Sequence, residues 1–152
     1  MDIKRRGILK AGGAMLALAA GLLQSARVFA QQWNKAAFDT KSVAATLKAL
    51  GAVGSTESAQ IQITAPDIAE NGAVVPITIE SAIPRTQAIS ILIEKNPNTL
   101  SAEFEIPEGT DPFITTRVKM AETSNIYAVV KADGKYFQAA KEIKVTLGGC
   151  GG

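Results

Sequence analysis

Turn-forming residues interrupt this chain at short intervals from residue 59 onward, and that punctuation constrains its fold more than any other feature. The runs between the interruptions are short, and most alternate with period two, as half-buried strands do. Ile61 and Ile63 alternate with polar neighbours, and Asn71-Gly72 signals a turn joining this strand to the next. Val74 to Ser81 is the second strand, and Pro76 marks it as a sheet edge or a strand start. Ala88 to Lys95 carries Ile89, Ile91, Leu92 and Ile93, which suits a strand buried on both faces. Asn96-Pro97-Asn98 breaks it, Leu100 to Ile106 follows, and Pro107-Glu108-Gly109 turns the chain. Phe113 to Met120 alternates, Asn125 to Lys131 is apolar and β-prone, and Asp133-Gly134 is a strong hairpin signal. Tyr136 to Leu147 completes that hairpin, with a bend expected near Ala139-Ala140. The pattern predicts an all-β fold, an immunoglobulin-like sandwich of about seven strands. The long strand-helix-strand alternation of nucleotide-binding α/β folds is missing.

One helix precedes the strands. Val43, Leu47 and Leu50 recur at helical spacing, Asp39 or Thr40 is placed to cap it, and Gly51 stops it. Trp33 and Phe38 share this N-terminal unit, and packing onto the domain explains them better than a partner-facing patch does. Residues 1–30 have the composition of an export signal. A basic start, Lys4-Arg5-Arg6, leads into an apolar stretch from Ala14 to Leu23 that is too short for an ordinary membrane span. Val28-Phe29-Ala30 supplies small residues for cleavage after Ala30. Arg5-Arg6-Gly7-Ile8-Leu9-Lys10 resembles the twin-arginine export signal. The expected divisions are a cleaved leader over 1–30, a helical segment over 31–52, the sandwich over 53–147 and a terminal arm over 148–152. The mature protein is expected in the periplasm, outside the membrane.

Composition excludes more than it suggests. The leader holds five of the 16 basic residues and one of the 14 acidic ones, so the remainder is slightly acidic and gives no case for nucleic acid. Histidine is absent, which removes the commonest general base and metal ligand. One cysteine cannot form a zinc site of the usual kind, a CxxC pair or an internal disulfide. No metal or cofactor site is expected.

That cysteine, Cys150, stands between Gly148-Gly149 and Gly151-Gly152 at the end of the sequence. Glycine has no Cβ, so the tail offers a thiol on a bare, flexible arm reaching at most roughly 17 Å. No basic residue or histidine stands next to Cys150 in the sequence to lower a thiol pKa near 8.5. Such a thiol suits attachment of a substrate that other proteins process, with the glycines giving flexibility and clearance. The alternative is an exported interaction module whose cysteine only forms intermolecular disulfides. A self-contained thiol oxidoreductase is disfavoured for want of a base or a resolving cysteine.

The tail Lys144-Val145-Thr146-Leu147-Gly148-Gly149-Cys150-Gly151-Gly152 resembles the C-terminal motif of the SoxY family, the sulfur-carrying subunits of SoxYZ complexes. Three more stretches resemble the same family: Ala65-Pro66-Asp67-Ile68-Ala69-Glu70-Asn71-Gly72-Ala73-Val74-Val75-Pro76, Ile93-Glu94-Lys95-Asn96-Pro97-Asn98 and Arg117-Val118-Lys119-Met120-Ala121-Glu122-Thr123-Ser124. The resemblance implies a non-enzymatic carrier of periplasmic thiosulfate oxidation, with an immunoglobulin-like fold and Cys150 as the covalent site. It implies a SoxZ-like companion subunit in a heterodimer. A SoxAX-like c-type cytochrome would load thiosulfate, a SoxB-like hydrolase would release sulfate, and a SoxCD-like sulfur dehydrogenase would act where present. Asp67, Glu70, Asn71, Lys95, Asn96, Arg117, Lys119 and Glu122 are better explained by turn chemistry and a solvated sandwich face than by docking.

Overall fold

A computed structural model describes residues 34–148. The leader, Trp33, Gly149, Cys150, Gly151 and Gly152 lie outside the described residues. The fold is a β-sandwich with two short helices laid on one sheet.

The helices are α1 (Lys35–Phe38) and α2 (Val43–Leu50). Ser42, rather than Asp39 or Thr40, caps α2: its extended backbone lets the side chain accept from Ala45 N–H. Asp39 instead closes α1. Thr40 is committed elsewhere, since its hydroxyl pairs with that of Thr46 (2.6 Å) and its carbonyl accepts from Thr99 N–H (3.0 Å). Gly51 ends α2 at φ 73°, with Ala52 N–H returning to Leu47 and Gly51 N–H to Lys48, a Schellman arrangement.

The strands are β1 (Thr56–Glu57), β2 (Ile61–Thr64), β3 (Ile68–Ala69), β4 (Val75–Ser81), β5 (Thr86–Ile93), β6 (Leu100–Glu105), β7 (Phe113–Val118), β8 (Ser124–Ala132) and β9 (Lys135–Val145). Seven are substantial, and β1 and β3 are two-residue additions. The larger sheet runs β1-β9-β8-β5-β6, with β3 also pairing β9, and the smaller runs β2-β4-β7. β2 and β4 do pair antiparallel, from Ile61 opposite Ser81 to Thr64 opposite Thr78. However, Asn71-Gly72 is no tight hairpin between them. The chain first crosses to the larger sheet, where β3 lies parallel to the end of β9. Pro76 falls at the start of β4, beyond the reach of β2, where its missing N–H costs no ladder bond. Asp133-Gly134 makes the expected hairpin, with φ of 49° and 71° at its two residues. No register break occurs at Ala139-Ala140; the β8–β9 ladder runs evenly from Ser124 opposite Ile143 to Ala132 opposite Lys135.

The apolar run of β5 is explained by its central place. Ile89, Ile91 and Ile93 enter the core between the sheets, with Ile77, Ile79, Ile126 and Ile143. Leu92 faces the other way, into a cluster with Ala37, Ala52, Leu100 and Val129 against which Val43, Leu47 and Leu50 pack. A bulge at the β5–β6 pairing, where Ile91 faces Ala102 but Leu92 faces Leu100, lets β6 serve both clusters. Ile91 is fully buried. Replacing it with alanine should therefore lower stability by about 2–5 kcal/mol, read as a shift in the urea midpoint at unchanged slope.

Across the turn at Asp133, Nε of Arg85 bonds both carboxylate oxygens (2.7 and 2.8 Å). That hydrogen bond holds the Asp133 carboxyl below its ordinary value. A depressed folded-state pKa adds stability above the unfolded value, and the addition vanishes as pH falls through the folded one. Urea midpoints of Asp133→Asn and wild type should thus differ at neutral pH and converge in acid.

Candidate functional site

β9 carries the chain toward Cys150, so the site is built around the end of that strand. Five successive ties fix it. Lys144 N–H donates to the Asp67 carbonyl (3.0 Å), and β3 then pairs Ile68 with Lys144 and Ala69 with Val145. Val145 N–H donates to the Thr123 hydroxyl (2.9 Å), a side chain standing in beyond the last β8–β9 pair, Ser124 with Ile143. Thr146 N–H donates to Ala69 O (3.1 Å), and its hydroxyl donates to Glu70 O (3.1 Å). Leu147 O accepts from Gly72 N–H (2.7 Å). The Gly72 carbonyl in turn accepts from Met120 N–H (2.7 Å).

Gly148 completes the collar. A Cβ built on it would overlap the Ala121 carbonyl oxygen and lie 3.3 Å from that carbon. Its missing side chain therefore serves close approach to the domain's own backbone, in addition to clearance for others. The β-like run anticipated to Leu147 stops as a strand at Val145, but backbone bonds hold the next two residues.

Three separated stretches meet here. Residues 65–74 run beside β9, anchored by Lys141, whose ammonium donates to Ala65 O (2.7 Å) and pairs with Asp67 (3.0 Å). Residues 119–123 form the other side. They are held by Asn96, whose amide donates to Lys119 O (2.7 Å) and accepts from Ala121 N–H (3.0 Å). Lys95 adds an ion pair to Glu122 (3.9 Å) and a backbone N–H to the Ser124 hydroxyl (3.1 Å).

The polar residues singled out in the sequence have mostly structural work. Asn71 accepts from Ala73 N–H (2.8 Å), an Asx turn. Asn96, Lys95, Glu122 and Asp67 all brace the collar. Arg117 and Lys119 are exposed beside a hollow of about 370 Å³ between β6 and β7. A larger cleft, about 700 Å³, lies at the opposite pole among Ile83, Pro84, Ile106 and Pro112, far along both sheets from the end of β9. Its size does not make it the site. Among the described residues, no three acidic or cysteine side chains gather as a metal cluster, and no helix is long and apolar enough to cross a membrane.

Thr123, Thr146, Gly72 and Lys141 were not singled out from sequence. In the sequence Gly72 reads only as part of a hairpin turn, and a threonine beside a strand or a lysine on one carries no local signal that it will clamp another segment.

A sandwich whose last strand is clamped as far as Gly148 defines a fixed exit for the chain that leads on to Cys150. Residues 46–150 match the family model described as sulfur oxidation protein SoxY, and the chain belongs to the SoxY family. Among solved structures it is similar to the sulfur carrier protein SoxY from Chlorobium limicola f thiosulfatophilum, at 40% identity and a TM-score of 0.59. That similarity covers 66% of this chain and 93% of the other. A structure of toxic shock syndrome toxin-1, described as a bacterial superantigen, aligns at 12% identity and a TM-score of 0.40, covering 56% of this chain and 98% of that one. A search of curated proteins found no match.

Gly148→Ala should detach the end of β9, because overpacking of one methyl costs roughly 1–3 kcal/mol and the tail can yield. Amide exchange at Gly72 should quicken by about tenfold or more while the β5–β8 ladder stays protected.

Proposed function

We propose that this chain carries sulfur intermediates of thiosulfate oxidation covalently on Cys150, in the periplasm, for other enzymes to process. The observation that carries this is the collar: the chain is held firmly as far as Gly148, two residues before the only thiol. The family match and the carrier of Chlorobium limicola support the same reading.

Loading joins the Cys150 thiolate to the outer sulfur of thiosulfate. A Cys–Sγ–S–SO₃⁻ group forms, and two electrons leave to a SoxAX-like c-type cytochrome. Water then cleaves the S–SO₃ bond in a SoxB-like hydrolase, releasing sulfate and two protons and leaving a persulfide on Cys150. A SoxCD-like dehydrogenase oxidises that sulfur where present. Activation of the thiol and of water belongs to those enzymes. A SoxZ-like subunit without a leader forms the heterodimer. Folded export through the twin-arginine leader over residues 1–30 would carry both subunits together.

Intact mass of the protein from thiosulfate-grown cells should show thiosulfonate or added sulfur on Cys150, lost on reduction. Cys150→Ser should abolish thiosulfate-dependent respiration. Finding only free thiol or a disulfide dimer, with normal respiration in the variant, would instead identify an interaction module.

A further inference from the structure

The collar has an outer surface as well as a structural role. Among the described residues, large apolar side chains are substantially exposed at Val53, Ile68, Val74, Phe113 and Leu147. Three of the five belong to the collar. Ile68 is 57% exposed opposite Lys144, Val74 is 54% exposed just past Gly72, and Leu147 is 66% exposed on the residue that Gly72 ties. The ion pairs Lys141–Asp67 and Lys95–Glu122 lie on the segments flanking them. An apolar centre with a charged margin is the anatomy of a protein-docking surface.

Tether length says what must sit there. From Gly148 to Cys150 the chain spans at most about 7 Å, so an active site working on the thiol must bring its entrance almost to Gly148. The body of that enzyme then covers the collar whether or not the contact is favourable. We propose that Ile68, Val74 and Leu147 are the docking surface for the enzyme that processes the Cys150 adduct, against an apolar rim around the cleft admitting the arm. This rests on the carrier reading above. The contact gives the enzyme a way to recognise the carrier when the arm, glycine apart from its thiol, offers it so little.

The test uses the full mature protein with its companion subunit. Tetrathionate loads the thiol directly: the thiolate attacks an inner sulfur, thiosulfate leaves, and Cys–Sγ–S–SO₃⁻ remains. A sulfate-releasing hydrolase purified from the same cells is then assayed against wild type, Ile68→Asp, Val74→Asp and Leu147→Asp. Val53→Asp, in the turn after α2, and Phe113→Asp, opposite Glu80 at the far end of β4, are the controls. Each collar variant should raise KM for the carrier roughly tenfold with kcat nearly unchanged and an unaltered melting temperature, while the controls match wild type. Collar variants processed like wild type would overturn the docking surface and leave the carrier reading standing. A wild-type adduct that releases no sulfate would overturn both. Loss of the companion subunit, or of a wild-type self-dimer, from the collar variants on size exclusion would assign the surface to that partner and sink the proposal.

Discussion

Gly72 joins three parts of the chain through the two backbone polar groups of a single residue. Its N–H holds Leu147 and its carbonyl holds Met120, both at 2.7 Å, and the residue itself is buried. Each bond adds only about 1 kcal/mol net, but a buried backbone group left unpaired costs about 1–3 kcal/mol. The loop after β3, the loop after β7 and the end of β9 therefore stay together or come apart together. Without this tie the last residues of β9 would fray as chain ends ordinarily do.

The sheets are arranged so that the tie has something rigid to hold. β9 has β8 on one side from Lys135 to Ile143 and, on the other, β1 near its start and β3 at its end. Lys141 binds the start of the 65–74 segment, and β3 then continues in parallel to the exit. A crossing that looks wasteful beside a two-residue hairpin thus closes the edge of the strand that delivers the tail.

Much of this architecture was legible in the residues. Period-two alternation and turn chemistry located the seven substantial strands, and the run around Ile91 announced a strand covered on both faces. What escaped were choices between equivalent local signals. Asp39, Thr40 and Ser42 are all capping residues, and the surroundings decide among them: Asp39 closes α1, and Thr40 is held by Thr46 and Thr99. Asn71-Gly72 is a turn signal, but nothing local tells whether the chain turns back at once or visits another sheet first. The β6 bulge is invisible because Leu100, Ala102 and Phe104 alternate with polar residues as they would in a regular strand. At the site, composition isolated Cys150, whereas the collar could not be anticipated. Most of its bonds use main-chain donors and acceptors, which every residue type supplies alike.

That same anonymity separates two tasks within one structure. The direction in which the chain leaves the sandwich is set by main-chain ties at Asp67, Ala69, Gly72 and Leu147. The side chains on their outer side are barely involved in setting it. Substitution at Ile68, Val74 or Leu147 can therefore redress the surface around the exit while the exit itself keeps its aim. A scaffold of this kind can change the surface around its exit without relearning where to point.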